Sequence, residues 1–195
     1  MTNLIYLGFL VISSYLISAI PFGVVVSKLK GVDLRTVGSG NIGATNVYRA
    51  LGIKYAALVF LLDGIKGWGP TYFAVTFVEQ PWIHVCIGFI SIIGHSLSCF
   101  VRFKGGKGAA TGIGVIFALS PLVALIVSVL AAFIIFVTRY VSLATILCSM
   151  LTPLLFYFFY YPLSYIVFLL VISLFIVYRH KSNISRLLKG QENKI

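Results

Sequence analysis

The residues of this chain that can do chemistry fall into three polar blocks. The first is Gly38-Ser39-Gly40-Asn41-Ile42-Gly43-Ala44-Thr45-Asn46-Val47-Tyr48-Arg49, with three glycines, four short hydrogen-bonding side chains, one arginine and no acid. Glycines let the backbone turn sharply and come close to a ligand. Successive backbone N–H groups in such turns form a concave nest for anions, and an arginine adds a planar positive fork suited to phosphate. The block therefore predicts an oxyanion site. It also matches G-x-G-x-x-G, but the dinucleotide fingerprint needs a strand before it and a βαβ unit around it. Here a membrane span precedes it. The alternative for this block alone is a polar loop between two spans.

The second block runs from Gly94-His95 to Thr111 and contains Lys104-Gly105-Gly106-Lys107. Two lysines flank a Gly-Gly turn, and Thr111 opens the next helix, whose N-terminus favours anions. It is not a Walker A loop, because Val101 stands where the first Gly should be and Gly108 where Ser or Thr should follow the lysine. The alternative is a positive anchor loop followed by helix-packing glycines, since Gly108 to Gly112 is also a G-x-x-x-G match. The third block is His180-Lys181-Ser182-Asn183-Ile184-Ser185-Arg186-Leu187-Leu188-Lys189-Gly190-Gln191-Glu192. Ile184, Leu187 and Leu188 share one face of a short amphipathic helix, with His180, Asn183 and Arg186 near one another. The alternative there is a basic anchoring tail.

These blocks must be positioned by apolar elements. Of 195 residues, 60% are hydrophobic and 10% charged, where a soluble domain has about a quarter charged. The expected fold is all-α: one polytopic, membrane-embedded helical domain over residues 1–195. Apolar stretches at 4–27, 55–78, 83–101, 109–138, 140–161 and 163–178 are candidate spans, since a bilayer core takes about 20 helical residues. Ser120-Pro121 divides the 109–138 stretch and leaves a short piece at 109–119. No basic region precedes the first span, so it does not read as a cleavable signal. Thirteen of the 15 basic residues lie in three stretches, 28–54, 102–107 and 179–194. Positive loops stay cytoplasmic, so these three share a side. An even number of crossings must then separate Lys107 from Arg179. Seven transmembrane helices satisfy this, with five as fallback; in both the N-terminus is outside and the C-terminus cytoplasmic.

Asp63 and Lys66 lie three apart inside a span and can pair on one helix face. Such a pair is either functional or a structural clamp beneath the loops. Cys86, Cys99 and Cys148 are scattered and read as small hydrophobes. No three His, Cys, Asp or Glu show zinc-site spacing, so no metal or cofactor is expected. The net charge of +11 is split among short loops, which suits anionic lipids or an anionic substrate rather than nucleic acid.

With these residues in view, the chain resembles the bacterial membrane acyl-phosphate:glycerol-3-phosphate acyltransferases (the PlsY type). The likeness covers nearly the whole chain: Ser18-Ala19-Ile20-Pro21-Phe22-Gly23, Gly38 to Arg49, Asp63-Gly64-Ile65-Lys66-Gly67, Gly94 to Thr111 and His180 to Glu192. One departure is Ser98, where the family usually has proline. The resemblance implies acyl transfer from a fatty acyl phosphate to the sn-1 hydroxyl of glycerol 3-phosphate, giving 1-acyl-glycerol 3-phosphate and inorganic phosphate, the first step of phospholipid biosynthesis. It implies a critical Ser39 and Arg49, an acyl-phosphate loop at 104–107, activity-bearing His180 and Asn183, and a structural Glu192.

The expected site thus has Ser39, Arg49, His180 and Asn183 as catalytic residues. Gly40, Asn41, Gly43, Thr45, Asn46, Lys104, Gly105, Gly106, Lys107, Thr111, Lys181, Ser182 and Arg186 are expected around the phosphates, and Asp63, Lys66 and Glu192 as structural. The general base stays open between His180, which has a suitable intrinsic pKa, and a substrate phosphate, whose second pKa is about 6. Membrane lipids and the two substrates are the expected partners, with no obligate protein partner. The expected place is the bacterial cytoplasmic (inner) membrane, with the site facing the cytoplasm. A transporter or flippase for a phosphorylated solute or lipid is the competing class.

Overall fold

The computed structural model describes residues 4–195, and the described residues form helices and turns without strands. Ten α-helices follow in order: α1 Leu4–Ala19, α2 Phe22–Lys28, α3 Ala44–Leu51, α4 Ile53–Phe77, α5 Pro81–Ser96, α6 Ala109–Leu119, α7 Pro121–Thr138, α8 Val141–Phe158, α9 Leu163–Arg179 and α10 Lys181–Leu188. The breaks fall where the sequence places them. Pro21 lacks an N–H and separates α1 from α2. Ser120 caps α7 by accepting the Val123 N–H at 3.2 Å, with Pro121 in the first turn.

Among the described residues, four helical segments are long and apolar enough to cross a bilayer: Leu4–Lys28, Pro81–Val101, Pro121–Thr138 and Val141–Phe158. A fifth is added when Leu163–Arg179 and Lys181–Leu188, bent by 61°, count as one. α4 carries Asp63 and Lys66, which lower its apolarity. α6 has 11 residues, about 16 Å of helix, half of a hydrocarbon core. Large apolar side chains such as Phe133, Phe136, Tyr157 and Leu174 stand exposed around the outside, as a lipid-facing surface requires.

Two prolines lie inside helices, Pro70 in α4 and Pro153 in α8. Each frees the carbonyl four residues earlier, and hydrocarbon offers that oxygen no water. A serine from a neighbouring helix supplies the donor both times. Ser18 Oγ of α1 donates to the Lys66 carbonyl at 2.8 Å, and Ser173 Oγ of α9 donates to the Ser149 carbonyl.

The main apolar core joins α5 to α9 around Val115, Val123, Phe156, Leu169 and Ile172. α4 and α6 pack backbone to backbone. A Cβ on Gly67 would collide with the Thr111 carbonyl, and one on Gly114 with the Gly64 carbonyl. Small residues at a helix contact permit this closeness. It hangs the short α6, and Lys107 just before it, directly on α4.

Candidate active site

The three blocks meet at one pole of the bundle around a cavity of about 390 Å³. Ser39, Asn41, Thr45 and Arg49 of the first block line it, with Lys107 of the second and His180 and Asn183 of the third. Residues separated by more than 100 positions thus converge on one space.

The first block is an ordered loop. Gly38 and Gly40 take φ of +57° and +67°, where a Cβ is strained. Asn46 holds the loop from beneath: its Oδ1 accepts the Ser39 N–H at 2.9 Å, and its Nδ2 donates to the Leu34 and Val37 carbonyls at 3.0 Å. Asn46 is 2% exposed and touches the cavity, yet its polar atoms are spent on backbone. Its geometry is that of a keystone rather than of the phosphate ligand expected. Gly43 precedes α3, which has no side-chain cap. Gly43, Ala44 and Thr45 line the cavity, so the positive end of α3 and its uncapped N–H groups are available to an anion. Arg49 Nη2 donates to the Asn193 carbonyl at 3.0 Å.

The phosphate contact expected of Gly105 and Gly106 takes another form. The Gly105 and Gly106 N–H groups donate to the Ser96 and His95 carbonyls at 3.1 and 3.2 Å. A Cβ on either glycine would run into His95 or Ser96. These glycines serve close packing, and what the loop offers the cavity is the Lys107 side chain. Burial pushes the Lys107 pKa down to about 8, nearby Arg186 acts in the same direction, and Glu192 opposes both. Lys107 Nζ donates to Asn183 Oδ1. Thr111 is fully buried in the α4–α6 contact, away from the cavity lining. Lys104, Lys181 and Ser182 are exposed and also lie outside that lining, as do Gly40 and Arg186.

The third block is tied together by Glu192. Its Oε1 accepts from Asn183 Nδ2 at 2.6 Å and Ser142 Oγ at 2.8 Å, and its Oε2 from Arg186 Nε at 2.7 Å. Burial works against its ionisation, but these three donors hold the carboxyl below the usual carboxylate range. His180 Nδ1–H donates to the Ile176 carbonyl at 2.8 Å. A carbonyl only accepts, so Nε2 is the unprotonated nitrogen. Burial lowers the His180 pKa to about 4, against the bond to Ile176.

Asp63 and Lys66 pair at 2.6 Å, as their spacing predicts, and Lys66 Nζ also donates to the Ile20 carbonyl at 2.6 Å. His95 Nδ1 lies 3.7 Å from the same carboxylate. Asp63 and His95 both reach the cavity wall, which the sequence reading did not anticipate for His95. Ser142 and Asn193 were missed as well. Their contacts to Glu192 and Arg49 span 50 and 144 residues, so no local pattern marks them. Among the described residues no group of three His, Cys, Asp or Glu is placed to hold a metal ion. Ser98, which replaces the family proline, has φ −65°, within the range proline fixes, and its Oγ donates to the Ala19 carbonyl at 2.5 Å.

Beyond the phosphate-suited cavity lies an apolar chamber of about 60 Å³ between α6, α7, α8 and α9, which shares Ala109, Ile113, Ala131 and Thr145 with it. A helical bundle of this kind, with apolar sides, a cationic cavity at one pole and an apolar chamber behind it, belongs to the class of integral membrane proteins. Comparison with known proteins narrows the class. Residues 8–190 match the family model described as glycerol-3-phosphate acyltransferase. The glycerol-3-phosphate acyltransferase of Aquifex aeolicus is 49% identical over 187 residues, covering 95% of this chain and 97% of that one. That of Fusobacterium nucleatum is 46% identical, covering 94% and 95%. The crystal structure of PlsY, an integral membrane glycerol 3-phosphate acyltransferase, in its glycerol 3-phosphate form superposes with a TM-score of 0.94 at 48% identity, over 97% of this chain and 95% of that one. Its lysophosphatidic acid form gives 0.91. The chain belongs to the glycerol-3-phosphate acyltransferase family, PlsY type.

Proposed function

We propose that this protein transfers a fatty acyl group from acyl phosphate to the sn-1 hydroxyl of glycerol 3-phosphate, giving 1-acyl-glycerol 3-phosphate and inorganic phosphate. The observation that carries this reading is the pair of neighbouring cavities, which share a wall. One is lined by Arg49, Lys107 and an uncapped helix start, the other is apolar. A phosphate head on an alkyl chain has that shape and chemistry.

The acceptor oxygen attacks the acyl carbonyl carbon, the carbon–oxygen bond to phosphate breaks, and phosphate leaves. The mixed anhydride is already activated, so the protein supplies positioning and charge stabilisation. Two phosphate groups of about −1.5 to −2 each repel. Arg49 and Lys107 stand between them, with the 104–107 loop on the donor side, while Ser39 and Asn183 orient oxygens. Asp63, Lys66 and Glu192 hold the frame. The hydroxyl proton goes to a substrate phosphate, whose second pKa is about 6. His180, with its pKa near 4, is a weaker base there, and its Nε2 accepts the hydrogen bond that orients the acceptor.

The same reading makes residues 1–195 one membrane-embedded domain with seven crossings, α6 being the short one. The N-terminus is outside, the C-terminus and site are cytoplasmic, and the membrane is the bacterial inner membrane. The grouping of basic residues at 28–54, 102–107 and 179–194 supports that orientation.

The test is phosphate release by the purified, lipid-reconstituted protein given palmitoyl phosphate, with and without glycerol 3-phosphate. Acceptor-dependent release with lysophosphatidic acid formed supports the reading. Turnover only with acyl-CoA or acyl carrier protein overturns the donor, and silence with all three overturns the reaction.

A further inference from the structure

Behind the cavity wall lies a charged side chain that the reaction above leaves unused. Arg179 closes α9, one residue before His180. Its Nη2 donates to the Gly106 carbonyl at 2.9 Å and the Gly105 carbonyl at 3.1 Å, and lies 3.5 Å from the Ser96 carbonyl. The N–H groups of the same two glycines point the other way, to Ser96 and His95. Both sides of the turn are therefore fixed, one to the end of α5 and the other to the end of α9.

A Gly-Gly turn has little conformational preference of its own and carries no side chain that can anchor it. Its anchor must come from outside. A guanidinium presents its donors in a rigid plane, whereas an ammonium on a flexible stem does not. Lys107 follows the turn directly, and its Nζ reaches Asn183 in the first turn of α10. Arg179 thus fixes, from the end of α9, the turn on which Lys107 stands.

We propose that Arg179 is a positioning residue for acyl transfer: its guanidinium clamps the Gly105-Gly106 turn and so holds the Lys107 ammonium at the substrate phosphate. This rests on the cavity reading given above.

The experiment compares Arg179→Gln and Arg179→Lys in the full-length, reconstituted protein. Arg179→Gln should raise KM for acyl phosphate, the substrate on the side of the 104–107 loop, about tenfold, since small misplacements of a positioning group are costly. KM for the other substrate should not move, and kcat should stay within about threefold. Arg179→Lys, with the charge but not the fork, should fall between. In a Lys107→Met background, Arg179→Gln should add less than about twofold, because residues acting through one another are not additive. Amide exchange at Gly105 and Gly106 should quicken in Arg179→Gln and stay unchanged along α7. Wild-type KM values for both substrates, or fully multiplicative effects in the double variant, would overturn the proposal. Should Arg179→Gln fail to fold, the same measurements on Arg179→Lys decide. If wild-type protein shows no acyl transfer, the cavity reading has failed, and amide exchange still tests the clamp: unchanged rates at Gly105 and Gly106 overturn it, faster rates support it.

Discussion

The two poles of this bundle use the same residue types to opposite ends. At the pole away from the blocks, His84 engages both ring nitrogens. Nε2–H donates to the Val78 carbonyl at 2.6 Å, and Nδ1 accepts from the Tyr165 hydroxyl at 2.7 Å. The Tyr161 hydroxyl donates to Ser120 Oγ at 2.6 Å, and the rings of Phe156, Tyr161 and Tyr165 fill the space between. At the block pole His180 engages only Nδ1, and Arg49 and Lys107 hold an Asn193 carbonyl and an Asn183 oxygen. A phosphate oxygen is a stronger acceptor for a cation than either of these. One pole spends its polar groups on permanent partners. The other keeps Arg49 and Lys107 on exchangeable ones around open space, which is what a site requires.

If that contrast is right, substitutions at the block pole change rate and substitutions at the closed pole change stability. The largest effect is expected for Arg49→Met, which should lower kcat/KM for acyl transfer about 10²–10³-fold, the cost of removing one transition-state donor. Its thermal midpoint in detergent should stay near wild type; a matching loss of both would erase the distinction. The pH profile comes next. The substrate phosphate must be deprotonated to take the proton, so the rate should fall as pH drops through about 6. Lys107 must be protonated to hold phosphate, so the rate should also fall as pH rises through about 8. Lys107→Arg should carry the alkaline limb upward, because arginine stays charged. A flat rate down to pH 5 would instead favour His180 as the base.

Smaller effects concern the frame. Ser173→Ala leaves the Ser149 carbonyl without its interhelical donor, and should lower stability by about 1–2 kcal/mol, read as the thermal midpoint in detergent. Tyr165→Phe removes one bond to His84, which should cost about 1 kcal/mol and leave both KM values alone. A rate loss in Tyr165→Phe would show that the two poles are coupled.

Much of the architecture was legible in the residues. Apolar run length marked the helices, and Pro21, Pro121 and Pro162 marked breaks, because a missing N–H acts locally. The short piece at 109–119 appears as α6 with the same bounds. The pairing of Asp63 with Lys66 followed from helical spacing alone. The Gly105-Gly106 turn misled for a physical reason: glycine serves an anion nest and a close backbone approach equally well. Which one holds depends on what stands opposite, here His95, Ser96 and Arg179. Asn46 misled in the same way, since an amide orients a ligand or a loop with the same atoms.

Composition, helix period and the three blocks were enough to define a helical membrane protein with phosphate chemistry and to reveal its family. Those properties live in neighbouring residues and in helical spacing. The partner of each donor came from packing alone: Asn193 on Arg49, Glu192 beneath Asn183, Arg179 beneath the glycine turn, serines on the carbonyls freed by proline. These hydrogen bonds join residues 9 to 144 positions apart and leave no periodic trace in a chain, because they depend on how the helices pack rather than on what stands beside each residue.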